Sequence, residues 1–314
     1  MTKTAKLMAA LAMWILFPAC DNGGGGATIP GVFGIDLTTG DRAEVTALEG
    51  PDALPRGIAF DPVADRIFLV TAVRVIGVDA ATGDPTVIAD PVIGAGPDFS
   101  RLEAIALDAA NNRAFVFDSP GVILVVDLLT GARTLVADAD TGSGPDFAAG
   151  RTAAMVYDAV GARLIVVAPA LVPDGDAVVA VNPATGDRTV LSGSATGMGP
   201  AFSFGGSLAI AADFAGGRVF VAQNSTVLEV DLTTGDRTLL HTGPPYRSAL
   251  ATDIANSRLL QVRGGALVSI DILTGAVAIL SDDSMGTGPE PAEPRGLEID
   301  AARTRTLVAA YVFE

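Results

Sequence analysis

Arg56-Gly57-Ile58-Ala59-Phe60-Asp61, Arg66-Ile67-Phe68-Leu69-Val70, Val75-Ile76-Gly77-Val78-Asp79 and Pro85-Thr86-Val87-Ile88 form four short runs in close succession. Val, Ile, Leu and Phe dominate them, and Asp, Pro, Ala, Thr and Gly fill the gaps between them. That composition predicts four strands joined by tight turns. The unit recurs. Asp is followed five residues later by Arg at Asp61/Arg66, Asp108/Arg113, Asp158/Arg163, Asp213/Arg218, Asp253/Arg258 and Asp300/Arg305. A second signature alternates with it, carrying Asp36, Asp79, Asp127, Asn182, Asp231 and Asp271 three or four residues before a Thr-Gly pair. Successive Asp of the first signature lie 47, 50, 55, 40 and 47 residues apart. A period of roughly 40–50 residues holding four strands is that of a β-propeller.

The phase of the two signatures predicts how the ring closes. The chain opens on Thr39-Gly40 with no Asp…Arg turn before it, and ends on Asp300…Arg305 with no Thr-Gly turn after it. The two ends therefore supply complementary halves of one blade. The expected fold is all-β: a six-bladed β-propeller of four antiparallel strands per blade, spanning residues 30–314. Such closure leaves no open sheet edge. Both signatures read as scaffold. The Asp of a Thr-Gly turn accepts hydrogen bonds from backbone N–H groups two or three residues on, and the Gly supplies positive φ. The Asp and Arg are expected to pair across a hairpin mouth as an exposed ion pair.

The first residues are of another kind. Lys3 and Lys6 precede an apolar run, Leu7 to Phe17, and then Pro18-Ala19-Cys20. The run is too short for a stable membrane span and has the layout of a secretory signal. With the chain's one Cys at its end, it resembles a bacterial lipoprotein signal, although Phe17 and Pro18 depart from the commonest lipobox. The resemblance implies a signal peptide over 1–19 and lipidation of Cys20. A Gly-rich tether over 20–29 follows, and the protein is expected at the envelope, facing the periplasm or exterior, held to the membrane through the lipid anchor only.

Beyond that leader there is no Cys except Cys20 and no Lys, and the basic residues are 18 Arg. Disulfides, thiol nucleophiles and Schiff-base chemistry are excluded for the mature chain. The formal net charge of −16 argues against nucleic-acid binding. The single His, His241, has no second His or Cys for a metal site. No G-x-S-x-G elbow surrounds any Ser. A catalytic set is not legible, and the protein is expected to be a monomeric binding module for an envelope protein or a small polar ligand.

Candidate contacts lie where the repeat is broken. Arg56, Arg101, Glu103, Arg151, Arg247 and Arg295 stand near the starts of inner strands, where side chains reach an axial channel. Converging Arg residues can hold a carboxylate or phosphate bidentately; alternatively they pair with Asp98, Glu103, Asp146 and Glu293 around the rim. A loop motif, Gly94-Ala95-Gly96-Pro97-Asp98-Phe99, recurs at 142–147, 197–202 and, divergently, 286–291. Its Phe is expected to pack against a neighbouring blade. Its acids, Asp98, Asp146 and Glu290, would line a shared rim on the face opposite the repeated turns. Asp138 and Asp140, in Asp138-Ala139-Asp140-Thr141-Gly142-Ser143, form a short oxygen-rich run of the type that binds Ca²⁺, without the later Glu of a full calcium loop.

Pro55-Arg56-Gly57-Ile58-Ala59-Phe60-Asp61 and Pro294-Arg295-Gly296-Leu297-Glu298-Ile299-Asp300 resemble the inner-strand signature of NHL, YVTN and SMP-30-like propellers, and the V-D-x-x-T-G units resemble YVTN repeats. The resemblance implies the fold over residues 30–314 and, as a second possibility, a metal-dependent hydrolase or lyase of the SMP-30/gluconolactonase kind. That family's channel metal is held by Glu, Asn and Asp. Here Asn111, Asn112, Asn182, Asn224 and Asn256 all fall in turns rather than on inner strands.

Overall fold

The computed structural model describes residues 28–50, 53–148, 153–171, 175–204, 208–243 and 248–313; the leader, Cys20, Arg151 and Arg247 lie outside them. Strands β1 (Thr28–Asp36) and β2 (Arg42–Ala47) open the chain, so that Thr28 and Ile29 already belong to the first strand. Four complete sheets follow in order: β3 (Gly57–Asp61), β4 (Arg66–Val70), β5 (Val75–Asp79), β6 (Pro85–Ala89); β7 (Leu102–Asp108), β8 (Arg113–Asp118), β9 (Val122–Asp127), β10 (Arg133–Ala137); β11 (Ala154–Asp158), β12 (Arg163–Leu171), β13 (Gly175–Val181), β14 (Arg188–Ser192); β15 (Leu208–Asp213), β16 (Arg218–Gln223), β17 (Thr226–Asp231), β18 (Arg237–Thr242). A fifth is β19 (Ser248–Asp253), β20 (Arg258–Arg263), β21 (Ala266–Asp271) and β22 (Val277–Ser281). The chain ends with β23 (Ala292–Asp300) and β24 (Arg305–Phe313).

The sixth sheet has the order β2-β1-β24-β23, so both chain ends share it. β1 and β24 pair antiparallel from Thr28↔Phe313 to Asp36↔Arg305. The innermost strands touch in the cyclic order β3, β7, β11, β15, β19, β23 and back to β3. The fold is therefore the six-bladed propeller that the alternating signatures predict.

Blades adhere through apolar faces that carry Val, Ile, Leu and Phe from two neighbours at once. Phe115, Phe117 and Ile123 of one blade pack with Met155, Leu164, Val166 and Val179 of the next. Phe68, Val70 and Val75 pack in the same way with Ile105, Val116 and Leu124. Each fully buried side chain of this size contributes about 1.5–3 kcal/mol. No blade can bury both its faces alone, and this holds the ring together.

The repeated turns explain themselves locally. Asp36 Oδ1 accepts from Thr38 N and Thr39 N at 2.7 and 2.8 Å. Asp79, Asp127, Asp231 and Asp271 do the same in their blades, and Asn182 accepts from Ala184 N. At the other turn the residue before Arg is left-handed in every blade: Asp65, Asn112, Ala162, Gly217, Ser257 and Thr304. In five blades the carbonyl of that residue accepts a hydrogen bond from the Thr-Gly turn, from Leu37, Ala80, Leu128, Leu232 or Ile272 N. The donor position in the remaining blade is Pro183, which has no N–H to give. The two signatures thus share one face of the ring and brace each other.

The Asp…Arg pairs differ from the expected exposed bridges. Five form through Nε, at 2.8, 3.0, 3.0, 2.7 and 2.9 Å. Their carboxylates are largely buried, down to 0% exposure at Asp300. Asp61 instead caps Val63 N and Ala64 N, and Arg66 lies over the Phe68 ring.

Candidate functional site

An axial channel of about 860 Å³ runs between the six inner strands. Its wall mixes apolar side chains, among them Phe60, Leu107, Val156, Phe214 and Ile299, with polar groups and the backbone of the inner strands. These are inner-strand residues, placed there because every inner strand approaches the axis.

Three of the sequence-selected residues reach this channel: Arg56, Glu103 and Arg295. They occupy the same repeat position, five residues before the Asp, in three consecutive blades; Ala153, Leu208 and Ser248 hold it in the others. One half of the mouth is therefore charged. Arg56 Nη1 donates to Glu103 Oε1 at 3.2 Å, and Arg101 Nε forms an ion pair with the same oxygen at 2.9 Å. Glu103 is buried between them, at 8% exposure. Arg295 Nη2 donates to Glu293 at 3.1 Å and stands over the Tyr311 ring. Rim pairing, the alternative to a free guanidinium grip, is what these residues do. Among the described residues, Arg56, Arg101 and Arg295 there meet the carboxylates of Glu103 and Glu293. The Nε atoms of Arg56 and Arg295 are buried without a hydrogen-bond partner. Arg151 and Arg247 lie outside the described residues.

The loop acids do not form a shared rim. None of the Gly-x-Gly-Pro loops lines the channel. Each lies instead against the Thr-Gly turn of the following blade, at the ring's outer edge. Arg133 N donates to Ala95 O, Arg188 N to Ser143 O, Arg237 N to Met198 O and Arg42 N to Thr287 O, each at 2.7 Å. The expected placement on the opposite face around the axis is thus corrected: the loop leaves an outermost strand, and the nearest partner is the neighbour's outermost turn. Asp98 lies 3.9 Å from Arg133, and Asp146 lies 3.2 Å from Arg188. Asp138 offers its backbone carbonyl to Arg188, and its carboxylate accepts from Asp140 N. Asp98, Asp146, Asp138 and Asp140 are held at the outer seams by these contacts. Among the described residues, no three His, Cys, Asp or Glu side chains converge to hold a metal. Glu290 hydrogen-bonds Asp283, which together with partial burial raises its carboxyl above the usual range. The loop Phe pack as expected: Phe99 and Phe147 are buried, and Phe147 meets Phe117 edge-on.

His241 lies 3.1 Å from Arg263; burial and then that positive charge lower its pKa. Neither carboxylate nor Ser adjoins it in the manner of a catalytic triad among the described residues. Asn224 reaches the channel from a hairpin and donates to Ser203 O at 2.7 Å.

The residue that sequence reasoning passed over is Glu298. The six inner strands align as GIAFD (57–61), AIALD (104–108), AMVYD (154–158), AIAAD (209–213), ALATD (249–253) and GLEID (296–300). Glu298 stands where the other five have Ala59, Ala106, Val156, Ala211 and Ala251. It lines the channel, partly exposed to it, and burial pushes its carboxyl up to about 8. Writing the six strands one above another is the signal that exposes it.

No family model matches the chain, and no curated protein matches it. Solved structures do. A chain of the nidogen/laminin complex superposes with a TM-score of 0.58 at 15% identity, over 90% of this chain and 98% of that one. The extracellular domain of a hybrid two-component system from B. thetaiotaomicron gives 0.57 at 12% identity, over 90% and 35%. An auxiliary nutrient binding protein from Bacteroides thetaiotaomicron gives 0.55 at 10% identity, over 90% and 77%. At such identities the likeness establishes the propeller fold alone.

Proposed function

We propose that this chain is a ligand- or protein-binding module of the bacterial envelope, built on a divergent propeller of the NHL, YVTN and SMP-30-like kind and anchored through lipidated Cys20. Its binding seat is the charged half of the channel mouth. The observation that carries this reading is Arg295, Arg56 and Glu103 standing side by side on three blades, where the repeat itself asks for no charge. Support for the setting comes from neighbours described as an extracellular domain and as a nutrient binding protein. No helix among the described residues is long and apolar enough to cross a membrane.

Capture from envelope extracts tests the seat. Arg56→Ala and Arg295→Ala should each reduce recovery of a bound partner or ligand by about tenfold, as loss of a charge-assisted contact does. Undiminished capture by both variants would overturn the seat. Metabolic labelling with a fatty-acid analogue tests the anchor: label should enter the wild type and be absent from Cys20→Ala. The metal-dependent alternative predicts a melting midpoint that moves with EDTA or Ca²⁺, whereas the binding module predicts superimposed curves.

A further inference from the structure

Glu298 sits midway along β23, facing the axis, between β19 and β3. The channel-lining residues on those flanking strands are Leu250, Ala251 and Thr252, and Ile58, Ala59 and Phe60. None of these is ionisable. Among the described residues, the other titratable groups in the wall are Arg56, Glu103, Arg295 and Tyr157. Arg56 and Glu103 are engaged with each other, and Arg295 with Glu293. Among the described residues no group hydrogen-bonds the Glu298 carboxyl. The carboxyl is thus open to the channel and free to meet a ligand, and the other five repeats place Ala or Val there.

We propose that the channel binds an apolar amine, a protonated primary amine on a hydrophobic body, with Glu298 as its receptor group. The inference deepens the binding-module reading and rests on it for the channel's role. Ligand pockets of several hundred Å³ with apolar walls and a few polar groups commonly work in this way, the wall taking the body and the polar group setting orientation. A metal ion would need further carboxylate or imidazole ligands, and among the described residues no three such side chains come together. An anion would be repelled once the carboxyl ionises. An ammonium group has three donors for an acceptor that has none.

The proton balance follows from the environment. Near neutral pH the empty site holds Glu298 mainly as the acid, because burial raises it to about 8. When R-NH₃⁺ enters, the carboxyl proton passes to solvent. An R-NH₃⁺···⁻OOC pair remains, with up to one proton released per ligand bound.

Calorimetry on the full chain tests this with 2-phenylethylamine and n-octylamine, against 2-phenylethanol and n-octanol as uncharged counterparts. The variants are Glu298→Gln and Glu298→Ala; the latter installs the residue that four other blades carry and so should keep the fold, which a melting curve checks. In the wild type at least one amine should bind about tenfold or more tighter than its alcohol. Its binding enthalpy at pH 7 should vary with the buffer's ionisation enthalpy, reporting proton release. Both variants should lose the preference and the buffer dependence. Equal affinity for amine and alcohol, no binding of either amine, or a preference that survives in the variants would each overturn the proposal. If the amines fail while envelope capture still depends on Arg56 and Arg295, the ligand class falls and the module stands. If capture is also indifferent to those arginines, both fall.

Discussion

Four of the six seams between blades are latched at the ring's outer edge, and two are not. In the latched four, a Gly-x-Gly-Pro loop meets a Thr-Gly turn followed two residues later by Arg42, Arg133, Arg188 or Arg237. Those guanidinium groups are buried and reach back into the loop. Arg237 donates to Ser192 Oγ, Gly193 O, Thr196 O and Pro200 O, at 2.7, 3.1, 3.0 and 2.7 Å, and stacks on Phe202. Arg42 reaches Ser281 Oγ, Asp282 O and Gly288 O in the same way. In the other two blades the equivalent residues are Pro85 and Val277, and the loops that precede those blades carry no Gly-x-Gly-Pro. Loop and arginine occur together or not at all. A buried guanidinium requires acceptors, and the loop supplies a row of carbonyls. Without the loop, an arginine at this place would have nothing to hold, and a Pro or Val is the neutral choice.

The largest effect should come from removing a latch arginine. Arg237→Ala strands several buried carbonyls and should cost about 3–4 kcal/mol by chemical denaturation; a change below 1 would show that the latch is ornamental. Next comes Gly199→Ala. A Cβ there would lie 2.0 Å from Arg237 O, at φ +107°, and the loss should be about 2–3 kcal/mol. Gly217→Ala is its control: φ is +68° but nothing lies within 4 Å, so about 1 kcal/mol is expected. Equal losses at the two glycines would show that φ alone matters and seam contact does not.

Acid should loosen the latch that Asp187 holds. The Thr185 and Ser143 hydroxyls and Ser143 N–H hold Asp187 down at about 2, below its ordinary 3.8. A depressed carboxylate contributes stability above its unfolded pKa and loses it as pH falls through the folded value. The stability gap between wild type and Asp187→Ala should therefore be full above 3.8 and shrink toward about 2; a gap independent of pH contradicts the assignment. The smallest effect belongs to an unlatched seam: Val277→Arg has no loop to grip and should change stability by no more than about 0.5 kcal/mol. A gain of 2 or more would mean that the arginine makes its own acceptors, and that loop and arginine are independent.

The latch was half legible. The Gly-Pro-Asp-Phe motif and the packing of its Phe stand out along the chain, but its partner did not. Arg133 is some forty residues from Asp90 and Ile93, whose carbonyls it holds, and no local pattern announces contact over that distance. The acids Asp98 and Asp146 looked like rim ligands because sequence order placed their loops between an outer strand and the next inner strand. The chain in fact crosses to the neighbour's outer turn first. One further regularity is also invisible in the letters: all six outermost pairings shift register once, at Val32/Phe33, Val75/Ile76, Leu135/Ala137, Val178/Val179, Val227/Leu228 and Leu267/Val268. Bulges of this kind add local twist to a strand.

Blade number, strand count, ring closure and the roles of the turn carboxylates follow from the sequence alone, because they depend on period, alternation and contacts within a few residues. Tertiary structure decided which charges share a neighbourhood. Arg56 meets Glu103 across a seam, the Gly-x-Gly-Pro loops clasp the following blade, and Glu298 faces the axis from one blade out of six. Those outcomes depend on where inner strands converge and outer turns meet, and proximity between distant segments is created only when the ring shuts.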